Sequence, residues 1–309
     1  MAATSIVVVG PTASGKTRRA VEIARAFNGE IISGDSRQVY QGMTIGTGKD
    51  LDEYEDIPYH LIDIAKAGEK YNLHCFLKDF HYSYNDIMER GKTAVICGGT
   101  GMYIENAIAG VRLPEVPVNP ELRTKYESYS LDRLAEILSG YKNLHNTTDI
   151  DTVKRAIRAI EIQEFYRNNP DKARLADSRQ SKPLDCLIIG IDIDRESRRR
   201  RISERLLSRL EEGMVKEVDT LLKSGIAPDD LIYYGLEYKF VTLYLIGKMS
   251  YDQMVHDLEI AIHQFAKRQM TWFRGMEKRG FHINWLPYDM STDKFVSNVG
   301  DLLYRKQGV

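Results

Sequence analysis

The chain has 309 residues, enough for one large domain or one domain carrying a sizeable insertion. Its 43% hydrophobic and 28% charged content is that of a globular protein, and a formal net charge of −1 excludes a global basic field, so a nucleic-acid partner could be held only by local clusters. Three scattered cysteines, Cys75, Cys97 and Cys186, odd in number and without CxxC spacing, argue against a disulfide framework or a zinc site and for a reducing, cytoplasmic setting.

In chain order, "SIVVVG" at 5–10 reads as a buried strand that runs straight into "GPTASGKT" at 10–17, with a helical pattern after it. A glycine-rich G-x4-G-K-[ST] turn between a strand and a helix is a phosphate loop. The glycines let the backbone of Gly10, Pro11, Thr12, Ala13, Ser14 and Gly15 curl so that several N–H groups point inward, Lys16 adds positive charge and Thr17 can ligate Mg²⁺. The usual occupant of such a loop is a nucleotide such as ATP, but the loop reads only phosphates and leaves the rest of the ligand open.

The next apolar run, "GEIIS" at 29–33, reads as a second strand, and Asp35 lies just past its carboxyl end, where ligands bind in parallel α/β sheets. A carboxylate there can accept a proton from a nucleophile, or it can simply turn the chain with Ser36. "TAVICGG" at 93–99 reads as a third strand that delivers Thr100 and Gly101 to the same edge. Three prolines within "VRLPEVPVNPELR" (Pro114, Pro117, Pro120) mark a boundary, and from there to about Lys182 the pattern is polar and helical, ending in "RNNPDKARLADSRQSK". A fourth strand, "LIIGIDI" at 187–193, completes the α/β pattern. Strands alternating with helices predict a parallel sheet flanked by helices, of the P-loop NTPase kind, with an α-helical insertion domain. The divisions are 1–113 and 183–309 for the core and 114–182 for the insertion.

After the fourth strand, Ile202, Leu206, Leu210, Met214, Val218 and Leu221 recur at three- and four-residue steps, and Arg198, Arg201 and Arg205 fall on neighbouring turns of one helical face. Most arginines on such a run are solvated, but the face with Arg201 and Arg205 is able to reach a diphosphate, which guanidinium suits. A last helix is predicted from about Ser250, as N-cap, to Arg274. Its "HQFAKRQMTWFRG" sets Lys267, Arg268 and Arg274 near Trp272, a basic-aromatic mixture that suits single-stranded nucleic acid. No apolar run approaches a membrane span, and the N-terminus lacks the charged region of a signal peptide.

Together these pieces resemble the tRNA dimethylallyltransferase family, also called tRNA isopentenyltransferase. The matching stretches are "GPTASGKT" at 10–17, "EIISGDSRQVYQGMTIGTGK" at 30–49, "HLIDI" at 60–64, "GGTGMY" at 98–103, "RAIRAIEI" at 155–162, "RISERLLSRLEEGMVKEV" at 201–218 and "SYDQM…QFAKRQMTWFRG" at 250–275. They come in the family's order over about 270 residues. The resemblance implies that the loop holds dimethylallyl diphosphate and that the prenyl group passes to N6 of adenosine 37 in the tRNA anticodon loop, with no ATP consumed. By motif, Asp35 is similar to the family's general base, and Thr100 to a group on the acceptor or the bridging oxygen. Lys16, Arg205 and Thr17 with Mg²⁺ are similar to the groups that neutralise the departing diphosphate. The tRNA-contacting surfaces it implies are Asp35, Ser36, Arg37 and Gln38, then Lys154, Arg155 and Arg158 with Arg123, then the 261–268 segment with Lys267 and Arg268. A cytoplasmic monomer is expected.

Three departures bear on how the acceptor is gripped. Glu237 and Phe240 stand in "YYGLEYKFVTLYL" where the family has a glycine and an amide or acid, the insertion is short, and the loop after the second strand reads "GTGKD" rather than "GTAKP". Two other readings stay open from sequence: an adenylate isopentenyltransferase that uses a free adenine nucleotide, and a P-loop small-molecule kinase with Asp35 as base. The basic insertion and "QFAKRQMTWFRG" favour RNA over a free nucleotide, which needs neither.

Overall fold

A computed structural model describes residues 4–113, 115–141, 148–173 and 182–306. Pro114 of the boundary and residues 174–181 of the polar run that closes the predicted insertion lie outside the described residues. The chain divides into two compact units, Met1–Gly110 with Lys182–Val309, and Val111–Ser181.

The larger unit is built on six parallel strands in the order β3-β2-β4-β1-β5-β6. These are β1 (Ser5–Val9), β2 (Gly29–Ser33), β3 (Tyr59–His60), β4 (Thr93–Gly98), β5 (Cys186–Asp192) and β6 (Ile283–Pro287). The central strands are continuous Val/Ile runs because both faces are covered. Ile6, Val8, Val95 and Ile189 pack with Ala20 and Ile23 of α1 (Lys16–Ala26) and with Phe295 and Val299 of a C-terminal helix at Thr292–Lys306. On the other face lie α2 (Leu73–Glu89) and α3 (Gly101–Ile108), where Ser5 Oγ meets Tyr84 Oη at 2.9 Å.

The predicted architecture holds, with four strand runs where the sequence put them and two strands besides. Sequence reasoning passes over β3 because it is two residues long. It passes over β6 because "INWLP" is a half-exposed edge strand that ends in proline. The C-terminal helix was also not expected. The arginine-rich run is two helices, α7 (Arg195–Glu211) and α8 (Met214–Lys223), separated by Gly213, and they follow the helices of the smaller unit. Beyond them come α9 (Pro228–Tyr233), α10 (Leu236–Leu245) and α11 (Tyr251–Lys278), after which the C-terminal helix is α12. Ser250 caps α11 as predicted, its side chain accepting from Gln253 N–H at 3.2 Å.

The smaller unit contains α4 (Pro120–Tyr126), α5 (Leu131–Ser139) and α6 (Val153–Asn168) around Leu134, Leu138, Ala156 and Ile160, with no strand among its described residues. Glu161, 2% exposed, is its one buried carboxylate among them. It accepts from Arg123 at 3.1 Å, from Arg158 and from Asn119 N–H. Burial opposes its charge, yet these donors hold its carboxyl below the usual range. No helix of the described residues is long and apolar enough to cross a membrane.

Candidate active site

The loop between β1 and α1 closes on Gly15, whose φ of 83° is left-handed and open to glycine without strain, and α1 starts at the next residue. Its backbone is held from outside. Gln269 of α11, 6% exposed, accepts from Thr12 N–H at 2.8 Å and donates to Gly99 O at 3.0 Å, which ties this loop to the glycine turn after β4. Arg201 Nε donates to Ala13 O at 2.9 Å, and Arg205 to Thr12 Oγ1 at 3.3 Å. The Ser14 hydroxyl is buried and has no hydrogen-bond partner among the described residues.

A cavity of about 490 Å³ opens beside this loop, and Thr12, Lys16, Thr17, Asp35, Thr100 and Arg205 all line it. Burial draws the Lys16 ammonium below its ordinary pKa, against the pull of Cys97 and Asp35. Burial likewise brings Arg205 down to about 10, with Arg209 alongside adding to the effect. Two desolvated cations with little carboxylate of their own make an anion site. Asp35 stands opposite, on the turn after β2, and its Oδ1 accepts from Arg37 N–H at 2.9 Å. Thr100 Oγ1 accepts from Ser36 N–H at 3.0 Å and lies 3.3 Å from Ser36 Oγ. The expected residues Ser36, Arg37 and Gln38 also line the cavity, and Arg37 lies 5.2 Å over the ring of Tyr233, which is largely exposed at the rim. Gln38 is turned inward, accepting from Ser33 Oγ and donating to Gly48 O, each at 2.9 Å.

Two of the three sequence departures meet here. Gly48 has φ 61°, and a Cβ on it would run into the guanidinium of Arg209, which is buried against the loop and lies 3.4 Å from Asp50 Oδ2. Glu237 lines the same cavity. Burial raises its carboxyl above the usual range while Arg209 and Arg205 draw it back. Arg209, Asp50 and Glu237 thus put one cation and two carboxyl groups together beside Arg205.

Of the expected cationic contacts, Arg268 lines the cavity and Lys267 is exposed next to it. In the smaller unit, Lys154 and Arg155 are exposed and Arg155 pairs with Asp151 at 2.8 Å. Arg123 and Arg158 are engaged by Glu161. Sequence reasoning missed Gln269, although a signal existed. It shares the buried face of α11 with Ile262, Ala266 and Phe273, and a glutamine on such a face has a committed partner. Arg209 carried no signal of its own, and Trp272 only that of an aromatic ring among basic residues. Trp272 lies over Gly101, where a Cβ would strike its ring, and both border the cavity.

The chain matches the family described as IPP transferase over residues 38–276, and that described as Isopentenyl transferase over residues 4–56. It is 57% identical over 293 residues to tRNA dimethylallyltransferase 1 of Porphyromonas gingivalis, covering 94% of this chain and 95% of that one. Among solved structures it is similar to the full-length tRNA isopentenylpyrophosphate transferase of Bacillus halodurans, with 30% identity, a TM-score of 0.72, and coverage of 98% and 96%. The fold alone is shared with a eukaryotic dimethylallyltransferase acting on tRNA, at 23% identity and a TM-score of 0.82, over 98% of this chain and 80% of that one. A family match across most of the chain and a near full-length relative at 57% identity lead to one conclusion: the chain belongs to the IPP transferase family.

Proposed function

We propose that the protein transfers a dimethylallyl group from dimethylallyl diphosphate to N6 of adenosine 37 in the tRNA anticodon loop and releases diphosphate. The observation that carries this reading is the meeting of Lys16, Asp35, Thr100 and Arg205, from four separate parts of the chain, in one cavity. An N6 amine conjugated to a purine is a poor nucleophile, so transfer needs a base, a stabilised leaving group and alignment.

In the proposed step the N6 lone pair forms a bond to C1 of the prenyl group as the bond from C1 to the diphosphate oxygen breaks. The N6 proton passes to the Asp35 carboxylate, and the electron pair leaves with diphosphate. Lys16, Arg205 and the N–H groups of the loop face the charge that develops on the leaving oxygens. Thr100, fixed by Ser36, orients the acceptor or the bridging oxygen. Among the described residues no cluster of three His, Cys, Asp or Glu side chains is able to hold a metal. The Thr17 hydroxyl lines the cavity and would be the side chain to hold a Mg²⁺ ion bound with the diphosphate. When bound, that ion supplies further neutralisation of the diphosphate.

For the RNA grip, exposed Lys154, Arg155, Lys267 and Arg268 are the cations we assign, with Arg37 at the cavity. The test is competition for the cradle and for the acceptor. Calorimetry on wild type and Lys16→Ala is expected to show dimethylallyl diphosphate binding that the substitution weakens, and tRNA rather than AMP is expected to gain the prenyl group. Lys16-dependent ATP hydrolysis with no prenyl transfer would favour the kinase reading, and prenylated AMP the free-nucleotide one.

A further inference from the structure

Glu217 lies on α8, and no step above uses it. Its carboxylate nevertheless collects three consecutive backbone N–H groups. Oε2 accepts from Thr44 at 2.9 Å and Ile45 at 2.8 Å, and Oε1 accepts from Gly46 at 3.1 Å. Tyr238 of α10 donates its hydroxyl to the same Oε1 at 2.5 Å. A carboxylate has about four good acceptor positions, so this one is saturated.

What it holds is a wall of the cavity, because Gly46, Thr47, Gly48 and Asp50 of the gripped loop line the space that Asp35 faces. The loop is tied onward as well. Gly48 O accepts from Gln38 Nε2 at 2.9 Å, and Gln38 Oε1 accepts from Ser33 Oγ at 2.9 Å. Ser33 Oγ in turn accepts from Asp35 N–H at 3.3 Å. Gln38 is 9% exposed and has both ends of its amide engaged, so it couples the loop to the turn instead of sampling solvent.

We propose that Glu217 is a positioning residue for prenyl transfer: by gripping Thr44–Gly46 it fixes the loop that holds Gln38, and Gln38 with Ser33 fixes the turn that carries Asp35. This rests on the transferase reading above. The cradle of Lys16, Arg205 and the glycine loop does not depend on the Glu217 grip, so losing the grip misaligns the base while leaving donor binding alone. Misplacement of a reacting group by about 1 Å costs on the order of 10²-fold in rate.

Glu217→Gln keeps the shape, but its amide group would put a donor against the Gly46 N–H, while Tyr238 can turn its hydroxyl to accept. Tyr238→Phe removes one donor and leaves the three amides in place. For Glu217→Gln we expect kcat to fall roughly 10-fold or more with the donor KM within about twofold, and for Tyr238→Phe a fall under about threefold. The effect of Glu217→Gln should largely vanish in an Asp35→Asn background, because both act through the same group. Melting and donor calorimetry check that the variants are folded. Amide hydrogen exchange across residues 33–48 provides a readout free of catalysis, and it should quicken in Glu217→Gln. Wild-type kcat in Glu217→Gln, additive losses in the double variant, or unchanged exchange would each overturn the proposal. A wild-type enzyme that fails to prenylate tRNA, yet shows quickened exchange in Glu217→Gln, would instead sink the transferase reading and keep the grip.

Discussion

Asp35 uses Oδ1 to accept from Arg37 N–H, and among the described residues its other oxygen has no hydrogen-bond partner, so a carboxylate oxygen is left to face the cavity. Asp35→Asn retains the shape and the bond to Arg37 but cannot take a proton at neutral pH. The expected result is a kcat lower by roughly 10²-fold or more with donor affinity little changed, measured by steady-state kinetics and donor calorimetry. Gly48→Ala is the complementary test at the opposite wall, because a methyl group there meets Arg209 on a left-handed backbone. It should cost about 1–3 kcal/mol of stability in a chemical melt. At this scale the cavity lining was legible in the sequence wherever a residue sits in a short motif: Lys16 in the phosphate loop, Asp35 after a strand, Thr100 after another, Arg205 on a charged helix. Arg209 and Glu217 were not legible as parts of the site, and Gln269 only as a buried polar side chain, because the partners that tie them to it are 159 or more positions away and only the tertiary approach of α7, α8 and α11 brings them together.

Elements are fastened by buried charge as well as by apolar packing. Glu30 on β2, whose side chain is 4% exposed, pairs with Arg90 just past α2 and with His60 on β3. The Arg90 hydrogen bonds, against burial and with help from His60, hold its carboxyl at about 2, below the ordinary 4.5. A depressed carboxyl pKa contributes stability that is fully present above pH 4.5 and is lost as pH falls from there toward 2. Glu30→Gln should therefore be less stable than wild type at neutral pH, and the gap should narrow across that acid window in urea melts. In the smaller unit, Arg158 donates to Glu161 and to Val116 O, so Arg158→Ala leaves a buried carboxylate short of a donor. We expect a loss of about 1–3 kcal/mol, because Arg123 and Asn119 N–H remain. The elements themselves were legible where a face is wholly buried, as in "SIVVVG" and "LIIGIDI". They were not legible at the sheet edges, where β3 is two residues and β6 mixes exposed and buried positions.

For the whole molecule, a net charge of −1 means that RNA affinity must come from where the cations stand rather than from their number. Lys154, Arg155, Lys267 and Arg268 are exposed, whereas Arg123 and Arg158 are engaged by Glu161. Replacing Lys154 and Arg155 by alanine should flatten the dependence of log K on log salt by roughly 0.7–0.9 per lost phosphate contact and raise the KM for tRNA, with the donor KM unchanged. Adding Arg158 to that pair would mix a folding defect into the measurement. The central claim, that one cavity joins a prenyl diphosphate to an adenosine of tRNA with Asp35 as base, is tested most directly by locating the product. Wild-type and Asp35→Asn proteins are incubated with dimethylallyl diphosphate, Mg²⁺ and unmodified tRNA, and the nuclease-digested RNA is read by mass spectrometry. The account predicts a single prenylated nucleoside, N6-substituted adenosine 37, formed by wild type and nearly absent with Asp35→Asn in the same time. A prenyl group found elsewhere, or equal yields from the two proteins, would contradict it.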